Sequence, residues 1–465
     1  MEVRKLTNRR EFLRLAALGA AGTAVLAACG PAATPTAAPT QAPAANTPAA
    51  AAATPAAAKS SSGATAATVK FWWHHGGDIG KAVEAANADF QAKNPDIKID
   101  GLQVSDVGTK ANTALAGGQG PDTWDCSPLA DANRGALREL DSYMAISSVK
   151  IDDYPQAPEL VWKGKTYAIP AIESGMENAL LWNKRLFKEA GLDPEKPPQT
   201  WEQLTEYSAK LTQTDSAGNI TQLGFNDRDS SGGMFPNWLT AEAITFYDQG
   251  SQKITFTQPE DIDLVERLVA FEKNLGPAKV GAFSKTYPTW GSVTPGGAFS
   301  SEKEVMMFDG SWAPGGLKLL APNLDIGYTW VPTKSGTLKT QQMGAHQFGI
   351  NAASKVQDQT WKLVEYIATV GNQLIYDKSG SFAYSKPFAA KVDTSLWPGL
   401  QWYFDSIVQA TFIKPRDYCP IGDAWTDWWA VVDDLVFGRQ TSAKDALAAA
   451  EKDSQTHLDK FLQGS

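Results

Sequence analysis

The sequence predicts an α/β protein with two domains, on three observations. After a low-complexity stretch, residues 68–465 form a body of roughly 400 residues, more than one hydrophobic core usually serves. That body opens with a strand pattern, a helix pattern and a second strand pattern in succession. The alternation then recurs along the chain, the mark of strands joined by crossover helices.

Taken in order, the chain begins with a basic segment, residues 4–14, followed by a small and apolar run, residues 15–28, that ends in Leu26-Ala27-Ala28-Cys29. The run is shorter than the about 20 residues needed to span a bilayer, so it reads as a signal peptide (1–28). Asn8-Arg9-Arg10-Glu11-Phe12-Leu13-Arg14 resembles a bacterial twin-arginine signal, and the residues up to Cys29 resemble a lipoprotein box whose cysteine is acylated. A plain secretory signal and an uncleaved helix are the competing readings. Asn8 stands where Ser or Thr is usual, so twin-arginine and general secretory export both stay open. Residues 29–67 are Ala, Pro, Thr and Ser with Lys59 as the one charge, a composition that cannot bury enough apolar area to order itself. It reads as a disordered tether, which at about 3.3 Å per residue reaches on the order of 130 Å. Cys29 is thus the expected lipid anchor, and the expected location is outside the cytoplasm, on the outer face of the cell membrane.

Formal charge is −9; residues 1–28 carry a net +3, which leaves −12 for the remainder. That acidity argues against nucleic acid, which demands clustered Lys and Arg, and limits membrane contact to the lipid. Cys126 and Cys419 show no metal-ligand spacing and allow two readings, a disulfide or two free thiols.

In the body, residues 68–72 read as a strand and run into His74-His75-Gly76-Gly77-Asp78, where Asp78 is placed to cap a helix bearing Ile79, Val83, Ala86 and Phe90 on one face. Asn94-Pro95 ends that helix, and Ile97 and Ile99 alternate as a second strand. A third strand is expected at Thr123-Trp124-Asp125. Residues 165–170 are strand-like, residues 180–190 read as a helix closed by Gly191, and Thr200-Trp201-Glu202-Gln203 is a capping box, with Trp201 structural. Ser442 opens a last helix with Leu447, Leu458 and Phe461 buried and His457 exposed. In an open parallel sheet ligands sit beyond the carboxyl ends of strands, which makes Trp73, His74, Trp124 and Asp125 candidates by position.

The chain holds 16 tryptophans, many beside glycine, proline or polar residues: Trp72, Trp73, Trp124, Trp238, Trp290, Trp312, Trp330, Trp402, Trp425, Trp428 and Trp429. Each is either a core anchor or a stacking platform. Together they suit a ligand with apolar faces and polar edges.

Tyr167-Ala168-Ile169-Pro170, the stretch Ala179-Leu180-Leu181-Trp182-Asn183-Lys184-Arg185-Leu186-Phe187-Lys188-Glu189-Ala190-Gly191-Leu192, and Pro198-Gln199-Thr200-Trp201-Glu202-Gln203-Leu204 resemble the family 1 extracellular solute-binding proteins of ABC importers. Val305-Met306-Met307-Phe308-Asp309-Gly310-Ser311-Trp312, residues 326–332 and Gly349-Ile350-Asn351-Ala352-Ala353-Ser354 continue the resemblance in the same order. It implies a two-lobed α/β fold of the periplasmic-binding-protein type, each lobe a mainly parallel sheet flanked by helices, with a hinge and ligand cleft between them. It further implies a first lobe of 68–172 plus 333–385 and a second of 173–332 plus 386–465, with crossings near 171–173, 329–333 and Ser385. The implied function is capture of a mono- or oligosaccharide for an ABC permease by a monomer without cofactor or catalytic activity.

On the same basis, Trp312 resembles an aromatic that stacks on sugar in the maltose-binding branch, and Glu173 a hinge carboxylate that contacts sugar hydroxyls. Glu173 competes with a reading in which it and Glu177 form a solvated face. Trp425 is a third contact or, with Trp428 and Trp429, part of a core face. His346 is a candidate contact or a structural histidine, and Asn226 and Trp238 are second-lobe candidates. Asp227-Arg228-Asp229 with Gly232 faintly resembles a calcium loop, but Trp238 stands at the twelfth position, where an acid is required, so it reads as a turn. His74, His75, His346 and His457 are scattered in sequence without metal spacing. No phosphate loop or nucleophile elbow appears. A polyamine or other non-sugar cargo, and a lipid-anchored glycoside hydrolase built on two carboxylates, are the alternatives.

Overall fold

The computed structural model describes residues 67–226, 237–289, 291–344, 346–415, 419–421 and 424–463. The expected signal peptide, Cys29 and nearly all of the tether lie outside the described residues, as do Trp290 and residues 227–232.

β1 (Ala67–Trp73) runs parallel to β2 (Ile97–Gln103), with Val69 opposite Ile99, and parallel on its other side to β3 (Thr123–Cys126), with Phe71 opposite Thr123. α1 (Gly77–Lys93) joins β1 to β2 and buries Val83, Ala86 and Phe90, the apolar stripe read from the sequence. Asp78 does not cap it. Gly77, at φ +57°, turns the chain into the helix two residues earlier than expected, and Asp78 in the first turn pairs with Lys81 at 2.9 Å instead. β4 (Ala168–Pro170) lies at the far edge of this sheet, and the chain then leaves it.

A second sheet starts with β5 (Ala179–Asn183), all five residues of which are buried. Here the expected helix over 180–190 is corrected, because only Lys184–Glu189 is helical. β5 lies between two neighbouring strands, and a strand covered on both faces is apolar throughout, a pattern that periodicity cannot separate from a buried helix. Asn183 makes the switch between the two: its side chain accepts a hydrogen bond from the Leu186 N–H at 3.0 Å and donates to Glu302 at 2.9 Å. α2 (Trp201–Leu211) begins at Thr200, whose hydroxyl accepts from the Gln203 N–H, while the Gln203 side chain accepts from the Gln199 N–H. β6 (Gln213–Thr214), β7 (Ile220–Phe225), α3 (Pro259–Leu275), β8 (Glu304–Asp309), α4 (Ala313–Leu320) and β9 (Ile326–Thr329) follow. The sheet order is β9-β5-β8-β7-β6, and only β7 and β8 are parallel in it.

β10 (Thr340–Met343) pairs with β12 (Phe412–Pro415), and β11 (Gln347–Gly349) then enters the first sheet between β3 and β4, antiparallel to both. The first sheet therefore stays mainly parallel, with β11 as its one reversed strand, whereas the second sheet is mixed rather than mainly parallel. A strand arriving from the other half of the molecule runs opposite to strands that follow crossover helices within one half.

α5 (Gln357–Ala368) and α6 (Val370–Ser379) cover the first sheet, whose core includes Val69, Phe71, Phe90, Trp124, Phe348 and Leu363. α7 (Ala424–Val436) and α8 (Ala443–Leu462) cover the second, with Phe225, Phe308, Trp428 and Leu447 in its core. β5 alternates between environments: Leu180 and Trp182 enter that core, whereas Ala179 and Leu181 face another one made with Met307, Tyr376, Phe382 and Tyr403. Ser442 caps α8 by accepting from the Asp445 N–H; Leu458 is buried, Phe461 half-buried against Trp162, and His457 exposed. Cys126 and Cys419 are both buried, one in each core, and form no disulfide with one another. Among the described residues no helix is long and apolar enough to cross a membrane.

Asn183→Ala removes the cap between β5 and the following helix and leaves the Leu186 N–H without its partner. The midpoint of urea unfolding is expected to fall by the equivalent of about 1–2 kcal/mol with an unchanged slope.

Candidate functional site

Three segments carry the chain between the sheets, and hydrogen bonds join them. Ala171 N–H donates to the His346 carbonyl at 3.0 Å and His346 N–H to the Glu173 carbonyl at 2.8 Å. Gly344 N–H donates to Gly175 at 2.9 Å, Glu177 N–H to Gln342 at 2.9 Å, and Ser174 N–H to Phe382 at 2.8 Å. The return crossing thus lies around Gln342 to His346, later in the chain than residues 329–333. Thr333 belongs with the second sheet, where its carbonyl accepts from the Trp201 N–H at 2.9 Å. Beneath the crossing, the Gln342 side chain donates to Glu177 at 2.8 Å and to Asn237 at 3.0 Å, and accepts from the Thr240 hydroxyl at 2.8 Å. Glu177 is therefore a buried network member, not half of a solvated face; the segment carrying it and Glu173 is not helical.

The ends of β1, β3 and β4 deliver side chains to this crossing. Asp125 of β3 accepts from His346 Nδ1 at 2.5 Å. Glu173, just past β4, lies 3.5 Å from His75 Nε2 and 3.8 Å from His346 Nε2, and accepts from the Ser381 hydroxyl at 3.3 Å. The His74 ring stacks on that of His346 with centroids 5.7 Å apart, and the His75 ring meets His346 edge-on at 4.3 Å. Three of the four histidines scattered in sequence are thus one cluster. His75 is the member that sequence reasoning passed over; its adjacency to His74 in the loop after β1 was the available signal.

Charge in this cluster is mutually sustained. Burial alone pushes the Asp125 carboxyl up, but His346, by charge and hydrogen bond, and then His75 and His74 hold it below the usual carboxylate range. Burial likewise opposes ionisation of Glu173, yet His75 by charge and hydrogen bond, His346, and the Ser381 hydroxyl bring its pKa down to about 2. The His74 imidazolium is disfavoured first by desolvation and then by the charges of His346 and His75, with Asp125 acting the other way.

Three tryptophan candidates belong to cores instead. Trp73 is 3% exposed and tilts against Phe71, and Trp124 is fully buried in the same core. Strand alternation explains both: Phe71 and Trp73 share the covered face of β1, and Trp124 points inward where its neighbour Asp125 turns to His346. Trp238 is 1% exposed, edge-on to Trp201 and Phe308. Trp425 is half-buried on the flank of the second core. Trp312 differs. It is half-buried at the start of α4, its ring lying on Gly310 so closely that a methyl group there would strike it at 2.1 Å. Its neighbour Ser311 donates an N–H to the Met176 carbonyl at 2.7 Å, tying this loop to the segment that bears Glu173. Asn226 lines a separate cavity with Glu272, Val280 and Phe437.

A family model described as bacterial extracellular solute-binding protein matches residues 82–398. The sn-glycerol-3-phosphate-binding periplasmic protein UgpB of Shigella flexneri is 29% identical over 154 residues, 31% of this chain and 35% of that protein. UgpB of Escherichia coli (strain K12) is 28% identical over the same length and shares. The chain thus spans about a third of the length of these curated relatives. Among solved structures, CpMnBP1 with mannotriose bound aligns with a TM-score of 0.73 at 22% identity, covering 83% of this chain and 99% of that one. The maltose/maltodextrin-binding domain MalE from Bdellovibrio bacteriovorus bound to maltotriose aligns with a TM-score of 0.66 at 17% identity, covering 83% and 99%. These likenesses establish the two-lobed α/β fold.

Because Glu173 has a lower pKa folded than its ordinary 4.5, its contribution to stability is complete above pH 4.5 and is lost as pH falls toward about 2. Acid unfolding followed by circular dichroism is expected to show a shallower loss of stability across that window in Glu173→Gln than in the parent protein.

Proposed function

This chain belongs to the bacterial extracellular solute-binding proteins, and we propose that its solute is a sugar, captured between the lobes and handed to an ABC permease. The observation that carries this reading is that the loop bearing Trp312 is bonded, through the Ser311 N–H and the Met176 carbonyl at 2.7 Å, to the segment that carries Glu173, whose carboxylate shares one cluster with Asp125 and the imidazoles. A sugar ring offers C–H faces to an aromatic plane and hydroxyls to carboxylates and imidazoles. Placing the two kinds of contact on opposite sides of a hinge makes closure depend on a ligand that bridges them. A permease then meets a different surface when the protein is loaded.

The charge state of the cluster weighs against the rival cargoes. UgpB, by its name, binds sn-glycerol 3-phosphate, but here two carboxylates held ionised would repel a phosphate. They also disfavour a glycoside hydrolase, which needs one carboxyl kept protonated as general acid; we therefore read the protein as a carrier and not an enzyme. Within this reading Cys29 is the lipid anchor on the outer face of the membrane, residues 30–67 are the leash, and the protein works as a monomer. The first lobe comprises residues 68–172 and the stretch from about His346 to 385, and the second lobe the rest of the body.

Intrinsic fluorescence titrated with a panel of mono- and oligosaccharides tests the proposal. At least one sugar is expected to shift or quench emission saturably, and Trp312→Ala to weaken that sugar's binding by about 10- to 100-fold, the loss of one stacked anchor. The unfolding midpoint of that variant should move little. Silence across all sugars with a response to a polyamine or glycerol phosphate, or equal loss of affinity and folding in Trp312→Ala, would sink the assignment.

A further inference from the structure

His75, Glu173 and His346 converge from three places in the chain. His75 Nε2 is 3.5 Å from one Glu173 carboxylate oxygen, His346 Nε2 is 3.8 Å from the other, and one donor atom from each residue lies within 4.8 Å of the other two. The first separation is that of a long hydrogen bond and the second lies beyond that range. They are close to the spacing between neighbouring ligands around a tetrahedral cation held at about 2.0–2.2 Å from nitrogen and oxygen.

The placement of His346 fits the same geometry. Its Nδ1 lies 2.5 Å from the Asp125 carboxylate, which leaves Nε2 as the ring nitrogen that faces Glu173. The Asp125–His346 pair also has the form of the carboxylate–histidine arrangement that orients and strengthens metal-bound imidazoles. His75 adds a second imidazole: its side chain is 7% exposed and its Nε2 faces Glu173 at 3.5 Å. Glu173 and His346 keep partial access to solvent, with side chains 16% and 24% exposed, so an ion can enter. Ser381 anchors Glu173 from the third crossing segment.

We propose that His75, Glu173 and His346 form a binding site for one divalent transition-metal ion of the zinc type, with Asp125 as the positioning residue for His346. Two imidazoles and a carboxylate suit Zn2+ and its neighbours better than Mg2+ or Ca2+, which prefer all-oxygen shells. Three protein ligands leave at least one coordination position open toward the cleft.

The full-length protein, stripped with a chelator and dialysed, is titrated with Zn2+ by calorimetry and with Co2+ by visible absorption. One equivalent of Zn2+ is expected to bind, and Co2+ to give the intense visible bands of a low-coordinate nitrogen and oxygen site. Glu173→Gln and His346→Ala should each weaken binding by at least about tenfold, and Asp125→Asn by about 10- to 100-fold. His457→Ala, on the exposed face of α8, should leave it unchanged. Thermal melts establish that each variant is folded; if Glu173→Gln is not, Asp125→Asn and the Co2+ spectrum of the parent protein decide. No stoichiometric Zn2+ binding, an octahedral Co2+ spectrum, or binding undiminished in the folded variants would overturn the site. Sugar binding measured in chelator is a separate readout, so loss of the metal site leaves the sugar proposal standing.

Discussion

Everything in this molecule that bears on ligand capture depends on the hydrogen-bonded crossing in which the segment from Ala171 to Asn178 is joined to the one around Gln342 to His346 and to the one from Ser381 to Tyr384. Each of these backbones must leave one sheet and approach another, and each carries polar groups that would be costly to bury unpaired. They satisfy one another: Ala171 with His346, Glu173 with His346, Gly175 with Gly344, Ser174 with Phe382 and Tyr384. Gly344 is needed at this junction, because a side chain there would run into the Glu177 carboxylate at 1.6 Å. The crossing is thereby rigid in its bonding but short, which suits a region that lets two halves move without losing register.

The chemistry of the site follows from the same constraint. Glu173 and His346 sit on the crossing itself, so the cluster is assembled by the fold's connectivity and not by one lobe alone. Once Asp125, Glu173 and the three imidazoles share a partly buried volume, each stabilises the charge of another. Removing one member would expose the rest to the cost of burial without compensation. Trp312 joins by the same route, through the bond between Ser311 and Met176. The loop that carries Trp312, from the second sheet, and the polar groups from the first are in this way tied to one stretch of backbone.

The signals that were local in sequence were legible in it. The apolar face of α1, the stop at Asn94-Pro95, the Thr200 and Ser442 caps and the short third strand all depend on neighbours a few residues away, and the structure contains them. Elements whose character depends on what covers them were not legible. β5 read as a helix because a strand covered on both faces and a buried helix are both continuously apolar. Trp73, Trp124 and Trp238 read as cleft contacts because burial depends on which face of a strand or helix meets the core, and that requires the partner elements. The histidine cluster was invisible because His75 and His346 stand far apart in the chain.

By itself, the sequence determined the α/β character, the family through its ordered blocks, and an acidic body unsuited to nucleic acid. It also put Asp125, Glu173, His346 and Trp312 forward, since residue type and position relative to strand ends are properties of the chain. Only the tertiary structure decided that β11 enters the first sheet reversed and that the second sheet is mixed, that the return crossing falls near Gln342 and His346, and that three imidazoles and two carboxylates share one place. Those outcomes arise where distant segments meet, and the energies that fix them, burial against a particular neighbour and a hydrogen bond to a particular carbonyl, do not exist until the fold brings the partners together.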